Sequence, residues 1–98
     1  MYEKYKDIPL DELFDALLCL KSREDCYKFL DDLCTVQELK ALTQRLLVAG
    51  MLDRQYVYNE IVAQTGASTA TISRVNRSLH YGSDGYRLVF NKLKESEK

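Results

Sequence analysis

One glycine constrains this chain more than any other residue. Gly66 stands between two short stretches with helical apolar spacing: Tyr58, Ile61 and Val62 before it, and Ile72, Val75 and Leu79 after it. Glycine enters left-handed backbone conformations without steric cost, so a helix can end here and the chain can turn sharply. Ser68, two residues on, suits the N-cap of a new helix, because its hydroxyl can accept from an amide left unpaired in the first turn. The pattern predicts a helix over about 56–64, a turn at Gln64-Thr65-Gly66, and a second helix over about 69–80. Residues 56–80 therefore read as a helix-turn-helix, whose first helix braces and whose second reads DNA.

The second helix divides into two faces. Ile72, Val75 and Leu79, at i, i+3 and i+7, form a narrow seam that points inward. Thr69, Ala70, Ser73, Arg74 and Arg77 occupy the other side, with Ser68 at the cap. Small side chains let the backbone approach base edges, hydroxyls reach bases or phosphates, and arginine forks onto guanine or phosphate oxygens. No acidic residue occurs from Thr65 to Ser83, whereas a merely solvated helix commonly pairs Glu with Lys. These six residues are the core of a candidate DNA-binding set. An amphipathic Ser/Thr-rich helix after a glycine turn also occurs in bundles that bind no DNA, and that alternative stays open here.

The formal net charge of −1 is poor for a DNA binder until it is divided along the chain. Residues 1–34 hold five Lys/Arg against nine Asp/Glu, a balance of −4, and residues 66–98 hold six against three, a balance of +3. The basic charge thus travels with the reading helix, as an electrostatic footprint requires. Its modest size points to two copies binding together.

The remaining segments are helical too. With 98 residues, one proline and 46% apolar content, the chain reads as a single all-α domain spanning 1–98. Residues 1–8 read as a loose arm. A first helix starts near Pro9 and carries Leu10, Leu13, Phe14, Leu17 and Leu18. Ser22 caps a second, lined by Cys26, Leu30 and Leu33. Thr35-Val36-Gln37-Glu38 is a capping box opening a third, which carries Leu39, Leu42, Leu46 and Leu47 and runs to about Leu52. After a turn at Gly82-Ser83-Asp84-Gly85, Tyr86, Val89, Phe90 and Leu93 define a sixth helix, with 94–98 as a fraying tail. The first three helices carry more leucine than a small monomer can cover. That excess predicts a homodimer with a shared core that displays two reading helices on one side, set for successive major-groove faces of a palindromic site.

Other chemistries are poorly served. There is no run of eighteen apolar residues and no signal peptide, so a soluble, cytoplasmic protein without membrane contact is expected. Cys19, Cys26 and Cys34 are odd in number, lack CxxC spacing and neighbour leucines, so they read as small buried hydrophobes rather than metal ligands. His80 is the only histidine, no nucleophile motif or phosphate loop exists, and the acidic pairs Asp11-Glu12 and Asp31-Asp32 are adjacent and so diverge on a helix. No enzyme activity and no cofactor are expected. The competing class is a dimeric adaptor whose helix-turn-helix face binds a protein.

Thr35…Glu38…Ala41-Leu42…Arg45, and Gly66-Ala67 followed by Ala70-Thr71-Ile72, Arg74, Ser78 and Leu79, carry a family likeness. Over roughly residues 30–93 the chain resembles the Trp repressor superfamily. The longer string Ser68-Thr69-Ala70-Thr71-Ile72-Ser73-Arg74-Val75-Asn76-Arg77, with Tyr81-Gly82 and Gly85-Tyr86, is similar to its YerC/YecD-type branch. The resemblance implies a six-helix, intertwined all-α homodimer that binds an operator in double-stranded DNA as a transcriptional regulator.

In that family tryptophan lies between the end of the third helix and the reading helix, clamped by two arginines and a threonine, with a glycine beside the indole. Arg45 and Arg74 match the arginines, Thr35 and Thr71 match threonines, and Val75 stands where the glycine would be. These five residues form a candidate ligand slot. Two added methyls overpack such a slot at a cost of about 1–3 kcal/mol, so tryptophan is not expected to bind; a different small carboxylate remains an open alternative. The bracing helix departs as well: where the repressor is basic, this chain has Tyr58 and Asn59. Asn59 joins the DNA-binding set because asparagine can pair with adenine, and the repressor's operator does not carry over.

Overall fold

The computed structural model describes residues 2–97, which form six α-helices and, among the described residues, no strand. The helices are α1 (Leu10–Leu18), α2 (Arg23–Leu33), α3 (Val36–Asp53), α4 (Tyr58–Thr65), α5 (Thr69–Tyr81) and α6 (Gly85–Ser96). A 3-10 turn at Glu3–Tyr5 precedes them. The chain gathers into two compact units, residues 1–36 and 37–98.

The amino-terminal unit has local order without an interior. Pro9 occupies the N-cap of α1, one residue ahead of the first turn, and Asp11 and Glu12 stand near the positive end of the helix dipole. Ser22 caps α2 by accepting from the Asp25 amide at 3.1 Å, while the Asp25 carboxylate accepts from the Lys21 amide at 3.1 Å. Neither helix contains a buried residue, and Leu18 is 81% exposed. Tyr2, Tyr5, Ile8, Leu10 and Phe14 line an open, largely apolar hollow of about 610 Å³.

The three cysteines are not the small buried hydrophobes that their leucine neighbours predict. Cys19 and Cys26 are exposed and Cys34 is half-buried, because α1 and α2 enclose no interior within one chain for small apolar side chains to enter.

The core lies in the second unit and surrounds the helix-turn-helix. Val48, Ala49 and Met51 of α3, Ile61 of α4, Ala67 of the turn, and Ile72 and Val75 of α5 are buried together. Leu52, Tyr56, Tyr58, Tyr86 and Phe90 pack around them. Each large aliphatic buried here contributes about 1.5–3 kcal/mol of transfer free energy. Only the carboxyl-terminal half of α3 joins this core; Leu42, Leu46 and Leu47 are exposed, as are Leu88, Val89 and Leu93 of α6.

The bounding turns explain where the helices stop. α3 ends in a Schellman arrangement, with Tyr56 N–H donating to Met51 O at 3.0 Å and Gln55 N–H to Leu52 O at 2.9 Å. Gln55 takes the left-handed position at φ +67°, where glycine is usual. This turn consumes Tyr56 and Val57, so α4 begins at Tyr58 rather than at 56 as the apolar spacing predicts. Val57 has no acceptor of its own, but the Glu60 carboxylate accepts from its amide at 3.4 Å. α6 is tied back by Arg87, whose guanidinium donates to Asp53 at 2.7 Å, an exposed pair worth up to about 1 kcal/mol. α6 also continues to Ser96 instead of fraying after residue 93, since Lys94 and Glu95 are good helix formers and Lys94 suits the last turn.

Gly66 and Gly82 are required for different reasons. Gly66 has φ +71° with open space where a Cβ would stand, so the constraint is conformational. At Gly82 a Cβ would run into the Ser78 carbonyl oxygen, so the constraint is steric. Gly66→Ala is expected to cost about 1–2 kcal/mol by urea unfolding, the left-handed penalty alone. Gly82→Ala is expected to cost more, because backbone must shift.

Candidate nucleic-acid interface

The turn between α4 and α5 is built by one hydroxyl and one glycine. Thr65 Oγ1 donates to the Ile61 carbonyl at 2.7 Å and accepts from the Ala67 amide at 3.1 Å. Gly66, in the left-handed conformation, closes α4 with its amide on Val62 O at 2.9 Å. Gln44 of α3 donates to the Thr65 carbonyl at 3.2 Å, which fixes the turn to the long helix. Ala67 is then buried, and the chain leaves the core at Ser68.

Ser68 begins α5 as its spacing predicts. Its Oγ accepts from the Thr71 amide at 3.1 Å and lies 3.1 Å from the Thr71 hydroxyl. Ile72, Val75 and Leu79 are all buried, so the seam faces inward and the rest of the helix is oriented by it. Thr69, Ala70, Ser73, Arg74 and Arg77 are consequently exposed, together with the cap Ser68. Arg74 and Arg77 have no ion-pair or hydrogen-bond partner among the described residues, so both cations are presented to solvent. Asn59 is exposed on α4, the helix packed against α5. Val62, assigned to the apolar face of α4, is 36% exposed, while Ile61 is the residue of that helix that is fully buried and Tyr58 packs beside it.

The five residues of the candidate ligand slot are placed less uniformly. Val75 is 2% exposed and part of the core, Thr71 is half-buried, and Arg74 and Arg45 are exposed. Thr35 is exposed and belongs to the amino-terminal unit.

Sequence reasoning passed over one residue on the outward face. Tyr81, the last residue of α5, is 86% exposed. The signal was available, since Ala70, Arg74, Arg77 and Tyr81 follow the i, i+4, i+7, i+11 spacing of one helical stripe. Among the described residues no group of His, Cys, Asp or Glu could hold a metal, and no helix is long and apolar enough to cross a membrane.

Residues 9–94 match the Trp repressor protein family. The chain belongs to that family. It is 50% identical over 95 residues to the uncharacterized protein YerC of Bacillus subtilis (strain 168), covering 97% of this chain and 91% of that one. The fold agrees with a crystal structure from Staphylococcus aureus described as a candidate Trp repressor. There the TM-score is 0.89 and identity 53%, over 96% of this chain and 95% of the other. A TrpR-like protein from Eubacterium eligens ATCC 27750 gives the same TM-score, 0.89, at 50% identity, over 94% and 95% of the two chains. The six-helix all-α fold expected for a Trp repressor family member is therefore the fold observed.

Because Thr65 serves the turn twice, Thr65→Val keeps the shape and removes both bonds. The Ala67 amide is then left in a buried position without a partner, at an expected cost of about 1–3 kcal/mol by thermal or urea unfolding.

Proposed function

We propose that this protein is a sequence-specific, DNA-binding transcriptional regulator, not an enzyme, and that it acts in the cytoplasm as a homodimer on a palindromic operator. The observation that carries this reading is the division of α5. Its apolar seam is buried, and the opposite face presents Ser68, Thr69, Ala70, Ser73, Arg74 and Arg77 to solvent, with both arginines unpaired within the described residues. Arg77 and Arg74 supply forks for guanine or phosphate, the hydroxyls reach base edges, and Ala70 allows close approach. Asn59, on the bracing helix, adds an amide suited to adenine.

The homodimer rests on uncovered apolar surface. α1 and α2 contain no fully buried residue, and Leu42, Leu46, Leu47, Leu88 and Leu93 are exposed. Apolar side chains left uncovered on helix after helix mark an interface, and a second copy supplies the matching face by symmetry.

The regulator is further proposed to bind DNA without tryptophan. The burial of Val75, 2% exposed, supports this: matched to the family's glycine, its methyls would fill the space that glycine leaves open beside the indole. With that space filled, the seam of α5 is already packed, and no ligand is needed to set the reading helix. A small carboxylate held by Arg45 or Arg74 would require a pocket different from the indole slot.

Selection from a pool of random duplexes tests the reading. The chain is expected to enrich a palindrome equally with and without added tryptophan, and Arg77→Ala is expected to weaken binding about 10-fold or more. Affinity is also expected to fall steeply with salt, whereas an adaptor would show neither response. Sedimentation is expected to give twice the chain mass, and Leu46→Asp to lower it toward the monomer. Enrichment only with tryptophan would sink the slot-filling role of Val75.

A further inference from the structure

We infer that Tyr81 is a contact to the DNA sugar–phosphate backbone, a positioning residue beside the bases that the remainder of α5 reads. The inference rests on the proposal that α5 enters the major groove, and it extends that face to a residue outside it.

Three observations converge on this tyrosine. Its direction is fixed: Tyr81 is still helical, and at about 100° per residue it lies within about 20° of both Ala70 and Arg74 on the helix circumference. Its environment leaves it unused, since it is 86% exposed, the highest value among the large apolar side chains that are exposed. Among the described residues its ring meets only the neighbouring His80, at 6.4 Å and edge-on, and its hydroxyl has no partner. Its backbone is held, because Gly82 follows with its amide on Ser78 O at 3.0 Å, and the close pass of Gly82 over Ser78 ends the helix at that point. An aromatic ring kept in water has no role in the core, which Leu79 already serves two residues earlier.

Length decides what the ring meets. Eleven residues separate Ala70 from Tyr81, about 16 Å along the helix at ~1.5 Å per residue. The major groove is about 12 Å wide, and a reading helix puts its amino-terminal residues at the base edges. Ala70, Ser73 and Arg74 fall within that span, Arg77 near its limit, and Tyr81 beyond it. At that distance the available partners are the phosphates and sugars of the groove wall. A phenol suits them: the hydroxyl donates to a phosphate oxygen, and the ring covers the sugar. Being neutral, it orients the helix without adding to the charge that draws the chain to DNA.

The full chain, bound to a duplex recovered from the random pool, provides the test. Wild type, Tyr81→Phe and Tyr81→Ala are compared by affinity, base preference, thermal unfolding and phosphate-ethylation interference. Tyr81→Phe is expected to lower affinity about 5- to 10-fold on every retained duplex and to erase an interference signal at a phosphate flanking the read bases. Base preference and Tm are expected to stay unchanged, with Tyr81→Ala weakening binding further. Unchanged affinity in both variants overturns the inference. A shifted base preference overturns it too, by making the ring a base reader, and a lowered Tm does so by making it structural. If wild type retains no duplex at all, the proposed DNA-reading function fails with it, and that outcome is told apart because wild-type binding itself is absent.

Discussion

The burial of one narrow seam orders the helix-turn-helix and the face it presents. Ile72 and Val75 of α5 are packed into a core built from the end of α3, from Ile61 of α4, and from Ala67 in the turn, and Leu79 on the same seam is buried as well. A helix has a fixed period, so burying one stripe determines the opposite stripe to within a few tens of degrees. The outward placement of Ala70, Ser73, Arg74, Arg77 and Tyr81 is thus a consequence of packing on the other side. No separate device is needed to aim them.

The seam can be buried only if α5 leaves α4 at the correct angle, and here a few polar atoms matter more than area. The Thr65 hydroxyl satisfies a donor and an acceptor at once, Gly66 supplies the left-handed residue, and Gln44 ties the turn to α3. Each such bond contributes about 1 kcal/mol net, but an unmade one on the buried Ala67 amide costs more. At the far end, Gly82 and the Arg87–Asp53 pair close the unit. The resulting body is small, and well-made ends hold it together as much as its interior does.

The amino-terminal helices present the opposite case. They are strongly patterned, and α2 is well capped, yet neither holds a fully buried residue. Local signals make a helix, whereas stability comes from covering its apolar face. In a Trp repressor family member the cover proposed here is a second copy. The same reasoning explains the exposed cysteines: apolar neighbours in sequence do not create an interior when the helices that carry them have none.

Much of this was legible in the residues alone. Ser22, Ser68 and Gly66 announced their helix ends because capping is a local exchange between one side chain and the nearest amides. The seam of α5 was legible because period is a property of sequence. The start of α4 was not, because the Schellman turn ending α3 uses a glutamine at φ +67° and carries no glycine to mark it. Nor could sequence say that only half of α3 enters the core, or that Val62 stays partly exposed while Ile61 is fully buried. Tyr81 shows the same division. Its place on the stripe with Ala70 and Arg74 followed from spacing, but its exposure depended on whether α6 or the turn at Gly82 would fold over it. The sequence by itself determined which residues begin and end helices and which share a face, since those rest on neighbours within one or two turns. Only the tertiary structure decided which faces are covered, because burial depends on side chains distant in the chain that arrive together.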